Sequence, residues 1–270
     1  ESKRSFILLG LGLSLKTLKS LEIYSNISQN YRSVTFADIS IVNPAFAINP
    51  EISDERGFTL DLGLRGDIKD LISLDFTLFN LLYKDRIGFN QKEFKDGSVK
   101  SERGNIGDAI IYGLESNIDF DLNNLLIKND NMSLNYFINT ALIDSEYTRS
   151  DENGVVGKKV EFVPNINLKT GIKYGFENFI FNVQYSYISN QYTDSSNAEE
   201  GNISGIIGEI PAYSLFDFSF SYLYKNLRLE TGVNNMANTL YFTRRATGYP
   251  GPGIIPSPPR NTYLTLQIKI

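Results

Sequence analysis

Residues 214–224 read SLFDFSFSYLY, and the two parities of this stretch differ in kind. Phe216, Phe218, Phe220, Tyr222 and Tyr224 fall on one; Asp217, Ser219 and Ser221 fall on the other, broken only by Leu215 and Leu223. Alternation with period two marks a strand with one apolar and one polar face. The pattern returns twice before the end of the chain. Residues 227–234 set Leu227, Leu229 and Val233 against Arg228, Glu230 and Asn234. Residues 261–270 set Leu264, Leu266, Ile268 and Ile270 against Tyr263, Thr265, Gln267 and Lys269. Between these last two strands lies a long Pro/Gly-rich segment.

Upstream, the same alternation gives eight more strands, at residues 4–16, 21–31, 56–65, 71–85, 108–120, 132–148, 164–174 and 179–192, about eleven in all. The connections alternate in length. Short turns follow the first, third, seventh and ninth strands, and a middling one, 121–131, with a helical turn expected at 122–127, follows the fifth. Long polar loops cover 32–55, 86–107, 149–163 and 193–211, with Asn-Pro turn signals at 43–44 and 49–50. Short turns on one side and long loops on the other are the habit of outer-membrane barrels. The polar parity carries Arg65, Asp75, Glu115, Asp119, Lys169, Lys173, Asp217, Arg228 and Glu230. Unpaired buried charges cost several kcal/mol each, so this face lines a wet or plugged lumen and the apolar face meets lipid. The competing reading is a two-sheet soluble sandwich, which gives no reason for sorting loops by length. Tyr24, Tyr83, Tyr147, Tyr192, Tyr222 and Tyr224 stand near strand ends and are expected in interfacial girdles.

Composition narrows function by exclusion. There is no Cys, His or Trp in 270 residues and the net charge is -5. Thiol chemistry, His-based metal sites and an imidazole general base are therefore absent. The charge balance argues against a nucleic-acid partner. No catalytic constellation and no metal or cofactor site is expected: Asp151, Glu152, Glu199, Glu200 and Glu209 acidify the loops without a calcium-type spacing. No run of 18 apolar residues occurs, which excludes a membrane-crossing helix and leaves a barrel untouched. Glu1 begins almost directly in a strand, so the parent polypeptide is expected to start further upstream with its export signal. An odd strand count leaves two readings, half of a larger barrel or a count off by one, because an open sheet in lipid leaves two edges of unpaired backbone groups.

Residues 241–256, YFTRRATGYPGPGIIP, resemble the C-terminal region of TonB-dependent outer-membrane receptors, most closely the ferric-dicitrate-receptor-like branch found in Bacteroidetes. YRSVTFADISIVNP at 31–44, YKDRIGF at 83–89, YGLES at 112–116 and GVNNMANTLYF at 232–242 fit the same branch. The resemblance implies that residues 1–270 are the C-terminal half of a 22-stranded barrel, with the plug and N-terminal strands supplied elsewhere. It further implies a place in the bacterial outer membrane among lipid and lipopolysaccharide. It implies energised uptake through the TonB-ExbB-ExbD system, and a ferric chelate as ligand rather than enzymatic turnover. A cargo of cobalamin, glycan or peptide, or a barrel subunit without transport, remain the alternatives. An intact mass well above 30.4 kDa, or a tightly bound second chain, is expected of the native protein. One departure is Ile270, where the family usually ends in an aromatic residue.

On this footing the candidate ligand residues are Arg244, Arg245, Asn105, Arg103 and Gln91. Guanidinium groups bind carboxylates bidentately, as an anionic chelate such as ferric citrate requires. The other role open to Arg244 and Arg245 is structural, holding their loop to neighbouring acids. Residues 249–253, YPGPG, read as scaffold because Pro fixes φ and Gly permits tight bends. Arg56, Arg86 and Arg103 flank the other loops, where they either add positive field or are plain solvated loop charges.

Overall fold

The computed structural model describes residues 6–17, 20–40, 44, 46–203, 205–246 and 253–269. In chain order the elements are β1 (Gly10–Lys16), β2 (Leu21–Arg32), α1 (Phe36–Ile39), β3 (Phe46–Ile48), β4 (Glu55–Ile68), β5 (Ile72–Glu93) and β6 (Val99–Asp121). One π-helical turn, Asn123–Ile127, follows where the sequence calls for a helical turn. Then come β7 (Met132–Arg149), β8 (Ile166–Phe176), β9 (Phe179–Ile188), β10 (Gln191–Tyr192), β11 (Glu209–Ile210) and β12 (Tyr213–Tyr224). The chain finishes with β13 (Leu227–Asn234), β14 (Phe242–Ala246), β15 (Gly253–Pro256) and β16 (Asn261–Ile268).

Eleven of these make one antiparallel meander, β1-β2-β4-β5-β6-β7-β8-β9-β12-β13-β16, each strand beside its neighbour in sequence. The count matches the sequence reading. Among the described residues β1 and β16 pair with no further strand, so the sheet stays open. Its outer face is one apolar belt. Leu62 and Phe216 are half exposed there, and Leu11, Leu13 and Leu15 on the edge strand more so. Register stacks the belt across strands: Ile23 beside Leu64, Tyr174 beside Phe181, Phe181 beside Phe220, Leu229 beside Leu266. Phe181–Phe220 and Tyr185–Phe216 ring centroids lie 5.0 and 4.8 Å apart, within range for favourable aromatic pairs.

The inner face is polar and locally paired. Arg65 bonds Glu22 at 3.3 Å, Tyr24 donates to Asp75 at 2.9 Å, and the Asn235 amide donates to Asp217 at 2.8 Å. Four of its glycines sit directly opposite aromatic residues: Gly63–Tyr24, Gly113–Phe79, Gly171–Phe137 and Gly232–Tyr263. A Cβ on Gly171 would meet the Phe137 ring at 2.7 Å and the Val183 carbonyl at 2.5 Å. Each ring lies across the gap its glycine leaves, a device that covers exposed strand backbone.

Three expectations change. Residues 86–107 are not a loop: β5 runs on to Glu93 and β6 begins at Val99, joined by a turn at Asp96-Gly97. These strands of 22 and 23 residues are about twice what a tilted crossing needs, so the hairpin projects past the belt. Above that belt both faces meet water or loops, and the alternation that signals a strand disappears. Tyr24, Tyr83 and Tyr147 are not girdle residues, because parity turns all three to the inner face, where Tyr24 bonds Asp75 and Tyr147 is wholly buried. Tyr222 and Tyr224 do flank a short turn on the outer face. The Arg244-Arg245 segment, read as loop, is strand β14, paired with β15. Residues 249–252 of the scaffold stretch, Asn43 and Ile270 lie outside the described residues.

Candidate ligand site

At the long-loop end, segments far apart in sequence are tied into one cap. Residues 189–212 are its hub. The Ser195 amide donates to the Phe89 carbonyl at 3.0 Å, and the Ser195 hydroxyl to Asn90 at 3.1 Å. The Lys159 amide donates to the Asn197 side chain at 2.7 Å, and Asn197 returns a bond to the Lys159 carbonyl at 2.9 Å. The Phe162 amide donates to the Tyr192 carbonyl. Asp194 and Ser195 are almost wholly buried for this reason: loop backbone that leaves water must be paired.

A second knot joins residues 33–54 to the projecting hairpin. β3 pairs in parallel with β6 above the end of β7, covering an otherwise open edge. Asp38 accepts bonds from Arg103 at 2.7 Å and Arg32 at 2.8 Å, and from the Thr35 amide at 3.0 Å. Burial pushes its carboxyl up; the Thr35 amide, Arg103, the Thr35 hydroxyl and the Arg32 charge outweigh that and hold it well below the usual carboxylate range. Arg103 also lies over the Phe89 ring at 4.5 Å. A cleft of about 360 Å³ opens beside Arg32, Asp38, Phe46, Phe89 and Arg103.

The third knot is buried beneath residues 150–165. Ile106, Ala109, Ile111, Val155, Val160 and Tyr147 pack into one apolar cluster. Within it Tyr147 donates to Glu161 at 2.6 Å, and Arg86 approaches the other Glu161 oxygen at 3.8 Å. Arg86 Nε has no partner among the described residues.

The five candidate residues therefore separate. Gln91 donates to Asp194 at 3.0 Å. Asn105 accepts from the Ser53 amide at 2.7 Å and donates to the Ser53 and Asp85 carbonyls at 3.0 and 2.6 Å. Arg103 is committed to Asp38. Arg245 donates to the Gly205 and Glu209 carbonyls at 2.9 and 2.8 Å. It thus anchors β14 to the hub through carbonyls rather than acids. Arg244 alone is exposed, and no hydrogen bond or ion pair holds it among the described residues. Sequence reasoning missed Asp38, Glu161, Asp194 and Asn197, since nothing local marks which loop polar groups become buried. The Asp96-Gly97 pair was a readable hairpin signal.

An open β-wall with an apolar outer belt, a charged inner face, tight turns at one end and a loop cap at the other defines the wall of an outer-membrane barrel receptor. The family model described as "TonB dependent receptor-like, beta-barrel" matches residues 3–236. The chain belongs to that family, and its place is the bacterial outer membrane. Among solved structures it is similar to the ferric citrate transporter FecA in its unliganded form, at 23% identity and a TM-score of 0.75, over 97% of this chain and 38% of that one. The copper transporter OprC matches at 16% identity and 0.71, over 96% and 38%. The ferric yersiniabactin uptake receptor FyuA from Yersinia pestis matches at 15% and 0.70, over 96% and 36%. These likenesses concern the fold, and the chain spans under two-fifths of the length of these structures. The family and these neighbours are transport receptors rather than enzymes.

Proposed function

We propose that this chain forms the C-terminal wall of a receptor that takes up a ferric chelate, ferric citrate or another siderophore-type ligand, across the outer membrane. The remaining barrel strands and the plug complete the pore from outside residues 1–270, since neither edge of the sheet can face lipid unpaired. Energy comes from the TonB-ExbB-ExbD system acting on the plug, and the ligand passes without covalent change. The observation that carries this reading is the cap. Four of the five candidate side chains are spent in knitting it, while Arg244 stays exposed, and unpaired among the described residues, beside the anchored Arg245. An exposed guanidinium on a braced hairpin suits an anionic chelate, because bracing lowers the ordering cost of binding. The likeness to the ferric citrate transporter agrees with this cargo.

Equilibrium binding of ferric citrate to the purified receptor tests the proposal. Saturable binding is expected, and Arg244→Ala should weaken it about tenfold, the loss of one charge-assisted hydrogen bond. Absence of saturable binding removes ferric citrate as cargo, and a screen of other ferric chelates, cobalamin, glycans and peptides then decides among the rest.

A further inference from the structure

Cations on the inner face of the wall mostly have an acid at hand. Arg65 lies 3.3 Å from Glu22, Arg228 lies 3.2 Å from Glu230, and Lys16 is the register partner of Glu22. Lys169 and Lys173 on β8 are the exceptions. Both are exposed, and among the described residues neither has a hydrogen bond or ion pair. Their register partners carry no charge: Asn139 and Ser186 flank Lys169, and Asn135 and Asn182 flank Lys173.

The gap in acids is wider than these two side chains. β2, β4, β5, β6, β12 and β13 each turn a carboxylate inward, at Glu22, Asp61, Asp75, Glu115, Asp217 and Glu230. The adjacent strands β7, β8 and β9 turn none inward; below the cap, amides, small residues and Phe137 surround the two lysines. The inner carboxylates of β6 stand two strands away, about 9.5 Å. Asp217 is two strands away on the other side and accepts from the Asn235 amide. The result is a strip three strands wide that is cationic along its middle. Its upper end runs into the hub, where the Ser189 amide donates to the Ile166 carbonyl at the top of β8 at 2.9 Å. That same hub anchors Arg245, next to the exposed Arg244.

Residue type separates the two levels. Guanidinium grips an anion in a fixed fork, whereas a lysine is a hydrated point charge on a flexible stem. Passage needs binding weak enough to let go and repeated along the way. Lys169 and Lys173 are four residues apart on one strand, about 13 Å. We propose that β7–β9 line the descent of the anionic chelate, which Lys169 and then Lys173 draw from the cap toward the turn end. This rests on the ferric-chelate reading above and adds a route to it.

The test follows radiolabelled ferric citrate into cells that carry the complete receptor with its plug. K169Q/K173Q should lower the uptake rate about tenfold, the scale on which a channel of one sign raises local ligand concentration, while equilibrium binding at the cap stays unchanged. Should the pair fail to assemble, Lys173→Gln alone should lower uptake about threefold, again with binding unchanged. A second readout needs no cargo. Gln184 lies between the two lysine rows, opposite Gly171. In a receptor with no other reactive thiol, Gln184→Cys is treated with methanethiosulfonates of like size and opposite charge. The anionic reagent should react about tenfold faster than the cationic one, and K169Q/K173Q should bring the ratio to about one. Equal rates with both lysines present overturn the proposal, as does undiminished uptake by the double variant. Entry of a large glycopeptide antibiotic through that variant also overturns it, since the lysines would then be holding the plug. A receptor that binds no ferric citrate sinks the cargo reading, and the thiol ratio still passes or fails the strip.

Discussion

The two ends of the wall solve the same problem in different ways. At the turn end, the connections after β4, β8 and β12 reverse in two or three residues on left-handed backbone, and the longer one after β6 is braced locally by Asn123, Asn124 and Asn129. Lys69 and Asp70 both adopt left-handed φ, +53° and +54°, as do Glu177 and Lys225 in the next such turns. At the loop end, segments of sixteen or more residues are held by buried side chains that reach across the sheet: Asp38 to Arg103, Gln91 to Asp194, Tyr147 to Glu161. Local geometry fixes one end and long-range polar contacts fix the other. The turn end should therefore tolerate substitution while the cap should fail one knot at a time.

The largest effect is expected at Glu161→Ala, which takes the paired carboxylate from the largely buried Arg86 and removes the acceptor of Tyr147. Taking one partner from a buried pair costs about 3–5 kcal/mol. That cost should appear as fast hydrogen exchange across residues 150–165 with the lower wall still protected. Asp38→Asn comes next, at about 1.5–3 kcal/mol for its charged hydrogen bonds, read as protease cutting within residues 33–54. The pH dependence of the same cutting follows in sign. Asp38 has its folded pKa depressed. Its contribution is complete above the unfolded carboxylate value of about 3.9 and is lost as pH falls through the lower folded value. Resistance should thus hold from neutrality down to about pH 4 and fade only below it. Tyr147→Phe should cost about 1–2 kcal/mol through one hydrogen bond, confined to the same loop. The smallest effect lies at the other end. Asp70→Gly should stabilise the β4–β5 turn by up to about 1 kcal/mol, a small rise in melting temperature; a clear loss there would contradict the contrast.

Legibility in the sequence follows the same division. Wherever one face meets lipid, residue alternation is forced, and all eleven meander strands can be read from it, Phe216 to Tyr224 most plainly. Beyond the belt the constraint lapses. Residues 86–107 keep their strand ladder without a lipid-facing side to satisfy, so their side chains carry no period and the stretch reads as loop. The candidate cations were found by type, yet their roles depend on partners a hundred residues away in the case of Gln91 and about forty for Arg245. Of the five, Arg244 alone is left exposed and without a partner among the described residues. Parity alone would have reassigned Tyr24, which shares a face with Glu22 and Asn26 rather than with Ile23 and Ile27.

Residues 1–270 contain no cysteine, so within this wall each introduced one is a clean probe of the alternation on which everything rests. Single cysteines at positions 216 to 221, in the receptor embedded in lipid, should divide by parity. Positions 216, 218 and 220 should resist a membrane-impermeant maleimide and be reached by a lipid-soluble one, while 217, 219 and 221 react with the impermeant reagent. Labelling that ignores parity, or that reaches 216, 218 and 220 freely from water, would contradict a wall with lipid on one side and an aqueous lumen on the other.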